Sequence, residues 1–194
     1  MTRSTPTVLA VGAAGKFAGL VLPELAKRGM KVRGLVRDAG QDARVRDQGA
    51  AEVAIGDLRD PASLGAALDG MHSVFYIAPA FMPDEAEVGV RMVELAKRAG
   101  VRRFVFSSVL HPSLGALVNH SAKAPVEEAI LTSGMDYVIL QPTMFFQNFA
   151  RSWPAVVRTG VLAEPWAIET RFTRVDYSDV AEVAAIALTE DRLM

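Results

Sequence analysis

Thr7-Val8-Leu9-Ala10-Val11-Gly12-Ala13-Ala14-Gly15-Lys16-Phe17-Ala18 is the stretch on which the fold of this chain turns. A short β-prone apolar run leads straight into two glycines three residues apart. Phe17, Leu20, Val21, Leu25 and Met30 then recur at helical spacing, with Gly29 as the stop. The pattern predicts a strand, a tight turn and a helix over 16–29. Gly12 permits the turn, and Gly15 leaves bare backbone where a Cβ would intrude on an approaching group. Ala18 is small enough for the helix to lie close to the strand. A helix that starts this way offers free N–H groups and a positive dipole end, which together suit a phosphate. With no ligand, the same residues would make only a tight strand-to-helix turn.

The alternation continues outward. Strands are expected at Lys31–Val36, Glu52–Ile55, 73–78, Arg103–Ser107 and 137–140. Helices are expected at 41–48, 61–69, 84–99 and 124–133, with Pro61 in a first turn and Gly49, Gly70, Gly100 and Gly134 as stops. Strand, helix and strand in succession imply βαβ units, hence α/β architecture: one doubly wound parallel sheet with helices on both faces. Runs such as Val74-Phe75-Tyr76-Ile77-Ala78 are apolar throughout, as a sheet covered on both faces requires. The reading is one domain over residues 1–194. Past Pro142 the pattern weakens to a short helix at 144–152 and a better one at 178–189, with Ser178 as N-cap and Asp179 in its first turn. The C-terminal segment reads as short or truncated, ending at Met194.

Composition narrows the function. Hydrophobic residues make up 51% of the chain and the net charge is −1, from 21 basic and 22 acidic side chains. No Lys/Arg block exceeds two residues, which argues against nucleic acid as the primary ligand. The chain has no cysteine, so disulfides, thiol catalysis and Cys-ligated metals are excluded, and no metal site is expected. Met1 to Pro6 is polar and lacks the charged-then-apolar pattern of a signal peptide, and no apolar run approaches the length of a membrane span. A cytoplasmic location is the default expectation.

The residues after each strand point to a dinucleotide. In NAD sites an acidic residue at the end of the second strand accepts from the ribose hydroxyls. Here that position reads Val36-Arg37-Asp38. A guanidinium at Arg37 suits a 2′-phosphate and favours NADP, with Lys16 or Arg33 as further positive charge. A register shift of one residue would make Asp38 the ribose acceptor and favour NAD. After the third strand, Asp57 can accept from an adenine amino group with Leu58 against the ring, or merely cap a turn. Ala78-Pro79 ends the fourth strand with small, rigid residues that suit backbone passing over a nucleotide. The cofactor-binding set expected from these positions is Gly12, Ala14, Gly15, Lys16, Phe17, Arg37, Asp57, Leu58, Ala78 and Pro79.

These motifs resemble a known family. Gly12-Ala13-Ala14-Gly15, Val32-Arg33-Gly34-Leu35-Val36-Arg37, Gly56-Asp57-Leu58, Phe104-Val105-Phe106-Ser107-Ser108-Val109, and Leu140-Gln141-Pro142-Thr143 through Gln147-Asn148 are similar to the NmrA-like group of atypical short-chain dehydrogenases/reductases. Ser108 to Pro112, Asn119-His120 to Lys123, and Val126-Glu127-Glu128 resemble one subgroup. The resemblance covers nearly the whole chain. It implies a Rossmann fold, NAD(P) binding, Arg37 on the 2′-phosphate and Asp57-Leu58 at the adenine. It also implies one of two functions, a reductase or a redox sensor that binds the cofactor without turnover.

The catalytic positions depart from the wider superfamily, which pairs Tyr and Lys four residues apart with a Ser after the fifth strand. Lys123 matches the Lys, Ser107 or Ser108 the Ser, but Asn119 stands where Tyr belongs, and an amide cannot supply the proton. Pro125 fits a first helical turn, so Asn119 and Lys123 are expected on separate elements, with Lys123 just before the helix and near the nicotinamide ribose. His120 is the candidate proton donor, while His111 is read as a loop residue able to face the pocket. Phe145, Phe146, Phe149 and Trp153 fall at spacings of one helical stripe, either core or the wall of an apolar substrate pocket. Two readings follow: NADPH-dependent reduction of a small apolar carbonyl or quinone-type acceptor, or an NADP(H) sensor acting through a protein partner.

Overall fold

The computed structural model describes residues 7–79 and 81–193; the polar start at Met1–Pro6 lies outside the described residues. Six strands, β1 (Thr7–Val11), β2 (Lys31–Val36), β3 (Glu52–Ile55), β4 (Ser73–Tyr76), β5 (Arg103–Ser107) and β6 (Asp136–Leu140), form one parallel sheet in the order β3-β2-β1-β4-β5-β6. Strand side chains alternate faces. Leu9, Val11, Val74 and Phe104 meet α3 (Pro61–Leu68), α4 (Glu85–Arg98) and α6 (Ala124–Leu131) on one side. Val8, Ala10, Phe75 and Val105 meet α1 (Ala18–Lys27), α2 (Asp42–Asp47) and α8 (Tyr177–Thr189) on the other. Both cores are closed to solvent, and this burial of apolar surface is the main stabilising term. The expected doubly wound α/β sheet is the observed one.

Strand order reverses between β1 and β4, the two central strands, and a crevice opens at their carboxyl ends. The turn after β1 and the segments that follow β4, β5 and β6 gather there.

Several boundaries differ from expectation. The helix expected from residue 16 begins at Ala18, because Gly12 to Phe17 are consumed by the turn. The strand expected over 73–78 ends at Tyr76; Pro79 has no N–H to give a ladder, and 77–79 peel off along the crevice. α5 (Val118–Ser121) was not foreseen. The expected helix at 144–152 is replaced by β7 (Met144–Phe145), a single 3-10 turn over Phe146–Asn148, and α7 (Phe149–Thr159), which Gly160 terminates at φ +71°. β7 is held extended because it pairs in parallel with β8 (Arg174–Val175). α8 is capped by Asp176, not Ser178: the Asp176 carboxylate accepts from the Ser178 N–H at 2.7 Å. Its far end is fastened to the sheet by Arg103, which donates to the carbonyls of Ala187 and Glu190 at 3.2 Å each.

Candidate functional site

The turn after β1 forms one wall of the crevice. Gly12 has φ +69°, and a Cβ there would meet nothing within 4 Å, so its exposed face is open to a ligand. The Gly15 N–H donates to the Gly12 carbonyl at 2.7 Å, and a Cβ on Gly15 would lie 2.9 Å from that same oxygen. Gly15 therefore serves to close the turn, and it also lines the cleft. Ala13 is buried and donates to the Leu35 carbonyl at 3.1 Å, tying the turn to β2. Ala14 packs against the core on the α1 side and does not line the cleft. A Cβ on Gly19 would stand 3.2 Å from the Ala13 carbonyl, so Gly19 joins Ala18 in bringing α1 close.

A cleft of about 590 Å³ runs from this turn across the ends of β4, β5 and β6. Gly12, Gly15, Lys16, Phe17, Ala78, Pro79, Ser107, His120 and Lys123 all line it, so nine of the expected residues share one space. Among the described residues its lining carries Lys16, Lys123 and Arg171 and no Asp or Glu, with Lys123 paired to Glu85 behind it. A basic cleft at a sheet edge attracts anionic ligands. Lys16 spans it, donating its ammonium to the Gln147 carbonyl. Phe17 packs in a three-ring cluster with Phe145 and Tyr177, centroids 4.6 and 4.8 Å away.

Arg37, Asp57 and Leu58 follow β2 and β3 on the same edge, beyond the cleft proper. Arg37 is exposed and forms no ion pair with Asp38 or any other acid among the described residues. Its N–H is held by the Gln41 side-chain oxygen at 3.2 Å. Asp57 does cap its turn, accepting from the Arg59 N–H at 2.8 Å, and Leu58 rests half-buried on the core. Arg33 is not available to a ligand, contrary to expectation. Its guanidinium bonds Glu52 at 2.9 Å and the carbonyls of Ala67 and Asp69 at 2.9 and 2.8 Å.

At the other end, Asn119 lies on α5 and Lys123 caps α6, with Pro125 in its first turn, so the two sit on separate elements as expected. Lys123 is buried, which removes the reading of a surface lysine; its ammonium is bonded to the buried carboxylate of Glu85. His120 Nδ1 lies 3.2 Å from the His111 carbonyl, and His111 adopts φ +58°. Ser108 Oγ donates to Glu127, which also accepts from Gln141 at 3.0 Å. Ser107 accepts from the Tyr177 hydroxyl at 3.0 Å. None of the three tyrosines lines the cleft.

The expected aromatic stripe is split by the β7 break. Phe145 lines the cleft, while Phe146 and Trp153 are exposed outside it. Phe172, which sequence reasoning missed, completes the apolar wall. Glu85, Gln147, Asp176 and Tyr177 were missed as well, since each acts through a partner remote in sequence.

Of the buried side-chain acceptors left unmet within the protein, Asn119 Oδ1 and Thr143 Oγ1 belong to residues that line the cleft. Buried polar atoms are normally satisfied, so a hydroxyl-rich ligand fits there. With the open face of Gly12 and the basic lining, the residues suit a dinucleotide. Among the described residues no cluster of His, Asp and Glu could hold a metal ion, and no helix is long and apolar enough to cross a membrane.

The sequence matches the NmrA-like family over residues 4–193. The NAD(P)H azoreductase of Xenophilus azovorans is 31% identical over 188 residues, covering 94% of this chain and 63% of that protein. Quinone oxidoreductase 2 of Escherichia coli (strain K12) is 25% identical over 181 residues, covering 92% of this chain and 63% of that protein. Among solved structures, the NADPH-dependent quinone oxidoreductase of Escherichia coli complexed with NADPH has TM-score 0.83 at 24% identity, covering 95% of this chain and 65% of that one. The Citrobacter sp. triphenylmethane reductase complexed with NADP(H) has TM-score 0.84 at 24% identity, covering 96% of this chain and 66% of that one. The chain thus spans about two thirds of the length of these relatives.

Proposed function

As the chain belongs to the NmrA-like family, we propose that it binds NADP(H) along the carboxyl edge of its sheet and reduces a small apolar carbonyl, quinone or similar conjugated acceptor in the adjoining cleft. The observation that carries this is the Gly12 turn: a bare, open backbone at the strand-order reversal, continuous with a cleft of about 590 Å³. The azoreductase and quinone oxidoreductase names of the relatives support the acceptor class.

The cofactor, when bound, supplies a hydride. The chain supplies position and charge. The amides of the turn and Lys16 hold the diphosphate, Arg37 holds the 2′-phosphate, and Asp57 and Leu58 flank the adenine. Asn119 and Thr143 offer their unmet oxygens to ribose hydroxyls. Met144, Phe145 and Phe172 keep water from the acceptor. With no tyrosine on the cleft, we assign proton delivery to His120. Its Nδ1 donates to the His111 carbonyl, so the proton to be delivered is the one Nε2 carries in the imidazolium form.

Asn119 in the tyrosine position favours a second reading, an NADP(H)-binding regulator that acts through a protein partner. Consumption of NADPH against a panel of quinones, azo compounds and carbonyls separates the two. Turnover that falls in His120→Gln supports the reductase; NADPH binding with no turnover on any acceptor overturns it and leaves the regulator.

A further inference from the structure

Glu85 is the first residue of α4, an element that otherwise contributes nothing to the cleft. Its side chain is 2% exposed, and its carboxylate bonds the ammonium of Lys123, whose side chain is 6% exposed. Lys123 occupies the N-cap of α6, where the positive end of the helix dipole disfavours a second positive charge. An ammonium buried there is tolerated only beside an anion.

The packing of two helices brings that anion in. Gly89, one turn along α4 from Glu85, lies where any Cβ would collide with the Val126 side chain, one turn along α6 from Lys123. The missing side chain lets α4 and α6 close on each other and sets their starting residues in contact.

We propose that Glu85 is a positioning residue for Lys123, its carboxylate holding the ammonium at the cofactor end of the cleft. Lys123 then acts as a charge that anchors the nicotinamide ribose and not as a proton donor, which leaves proton delivery to another group. This rests on the reading of the cleft as an NADP(H) site. The other titratable and charged groups on the elements packed around the pair are Asp84, Glu87, Arg91, Glu94, Lys97 and Arg98 at or on α4, Glu127 and Glu128 on α6, Tyr76 on β4, and His111 and His120 before α6. Asp84 is engaged by Arg59, and Glu127 by Ser108 and Gln141. Tyr76 sits in the core with its hydroxyl unpaired, and burial holds its pKa well above the usual phenol range. Glu85 is the carboxylate bonded to Lys123.

The test is NADPH affinity of Glu85→Gln, Glu85→Asp and Lys123→Met against wild type, measured by direct binding from about pH 6 to about pH 9. Glu85→Gln strands the ammonium, so its affinity relative to wild type should fall by about tenfold as pH rises, towards that of Lys123→Met. Lys123→Met, which strands the Glu85 carboxylate in turn, should be weaker than wild type at every pH. Glu85→Asp keeps the charge but draws it back, and should be weaker than wild type with no added pH dependence.

A Glu85→Gln to wild-type ratio that stays flat overturns the proposal while leaving NADP(H) binding intact. If Glu85→Gln does not fold, Glu85→Asp decides: affinity equal to wild type shows that the carboxylate does not position Lys123. Failure of wild type itself to bind NADPH overturns both this inference and the reading it rests on.

Discussion

The Tyr177 hydroxyl donates to Ser107 Oγ at 3.0 Å, with both side chains sealed from solvent. One belongs to α8 and the other to the end of β5, so a late helix is bonded to the edge of the sheet where the cleft opens. Burial pushes the Tyr177 phenol up to about 12, and the ring lies behind the cleft lining. The tyrosine is a strut, not the acid of a displaced catalytic centre. Tyr177→Phe should lower stability by about 1 kcal/mol, the usual net worth of a buried hydrogen bond, and leave turnover within a few-fold of wild type. Urea denaturation and steady-state rates check this; loss of turnover with the fold intact would make Tyr177 the proton donor.

Arg37 stands exposed with no acidic partner among the described residues, at the end of β2. Reversing its charge in Arg37→Glu should weaken NADPH by roughly 10- to 100-fold, the loss of one charge-assisted hydrogen-bonding pair. NADH should change little. Comparative binding of the two cofactors measures this, and equal loss for both removes Arg37 from the 2′-phosphate.

Gly12→Ala tests the turn itself. At φ +69° an alanine costs about 1–2 kcal/mol of backbone strain, and its methyl would stand in the open approach to the turn. NADPH and NADH should therefore be weakened alike, unlike in Arg37→Glu. Thermal unfolding and binding of both cofactors separate the strain from the obstruction.

His72 lies at the opposite end of the sheet, and burial, then the charges of Arg102 and Arg103, hold its pKa below the usual histidine value. The unfolded chain therefore binds a proton there more readily than the folded one. Stability from this group is complete above the ordinary histidine pKa of about 6.5 and is lost as pH falls through it. The melting temperature should drop between about pH 7 and pH 5, and His72→Gln should flatten that slope. An unchanged slope places the acid sensitivity elsewhere.

How far the sequence carries depends on the range of the interaction. β1, β2, β3 and β5 were legible to the residue because each is an apolar run bounded by its own punctuation, such as Gly12 or the Gly29-Met30 stop. The Gly12 turn was legible for the same local reason. Where a distant partner decides, the sequence is silent. Phe145 reads as helical until Val175 pairs with it as a strand. Arg33 reads as a free charge until Glu52 and two carbonyls of the α3 end take it up. Lys123 could be placed beside the cleft, but nothing near it in the chain announces Glu85, 38 residues earlier, because Gly89 makes that contact across two helices.

The central claim is that the turn from Gly12 to Phe17 seats a diphosphate, and adding NADPH to isotope-labelled protein while recording backbone amide NMR signals tests it most directly. Saturable shifts are expected, largest at Gly12 through Ala18 and smaller at Arg37 and Lys123. Saturable binding that leaves those amides unmoved, or no binding at all, would contradict it.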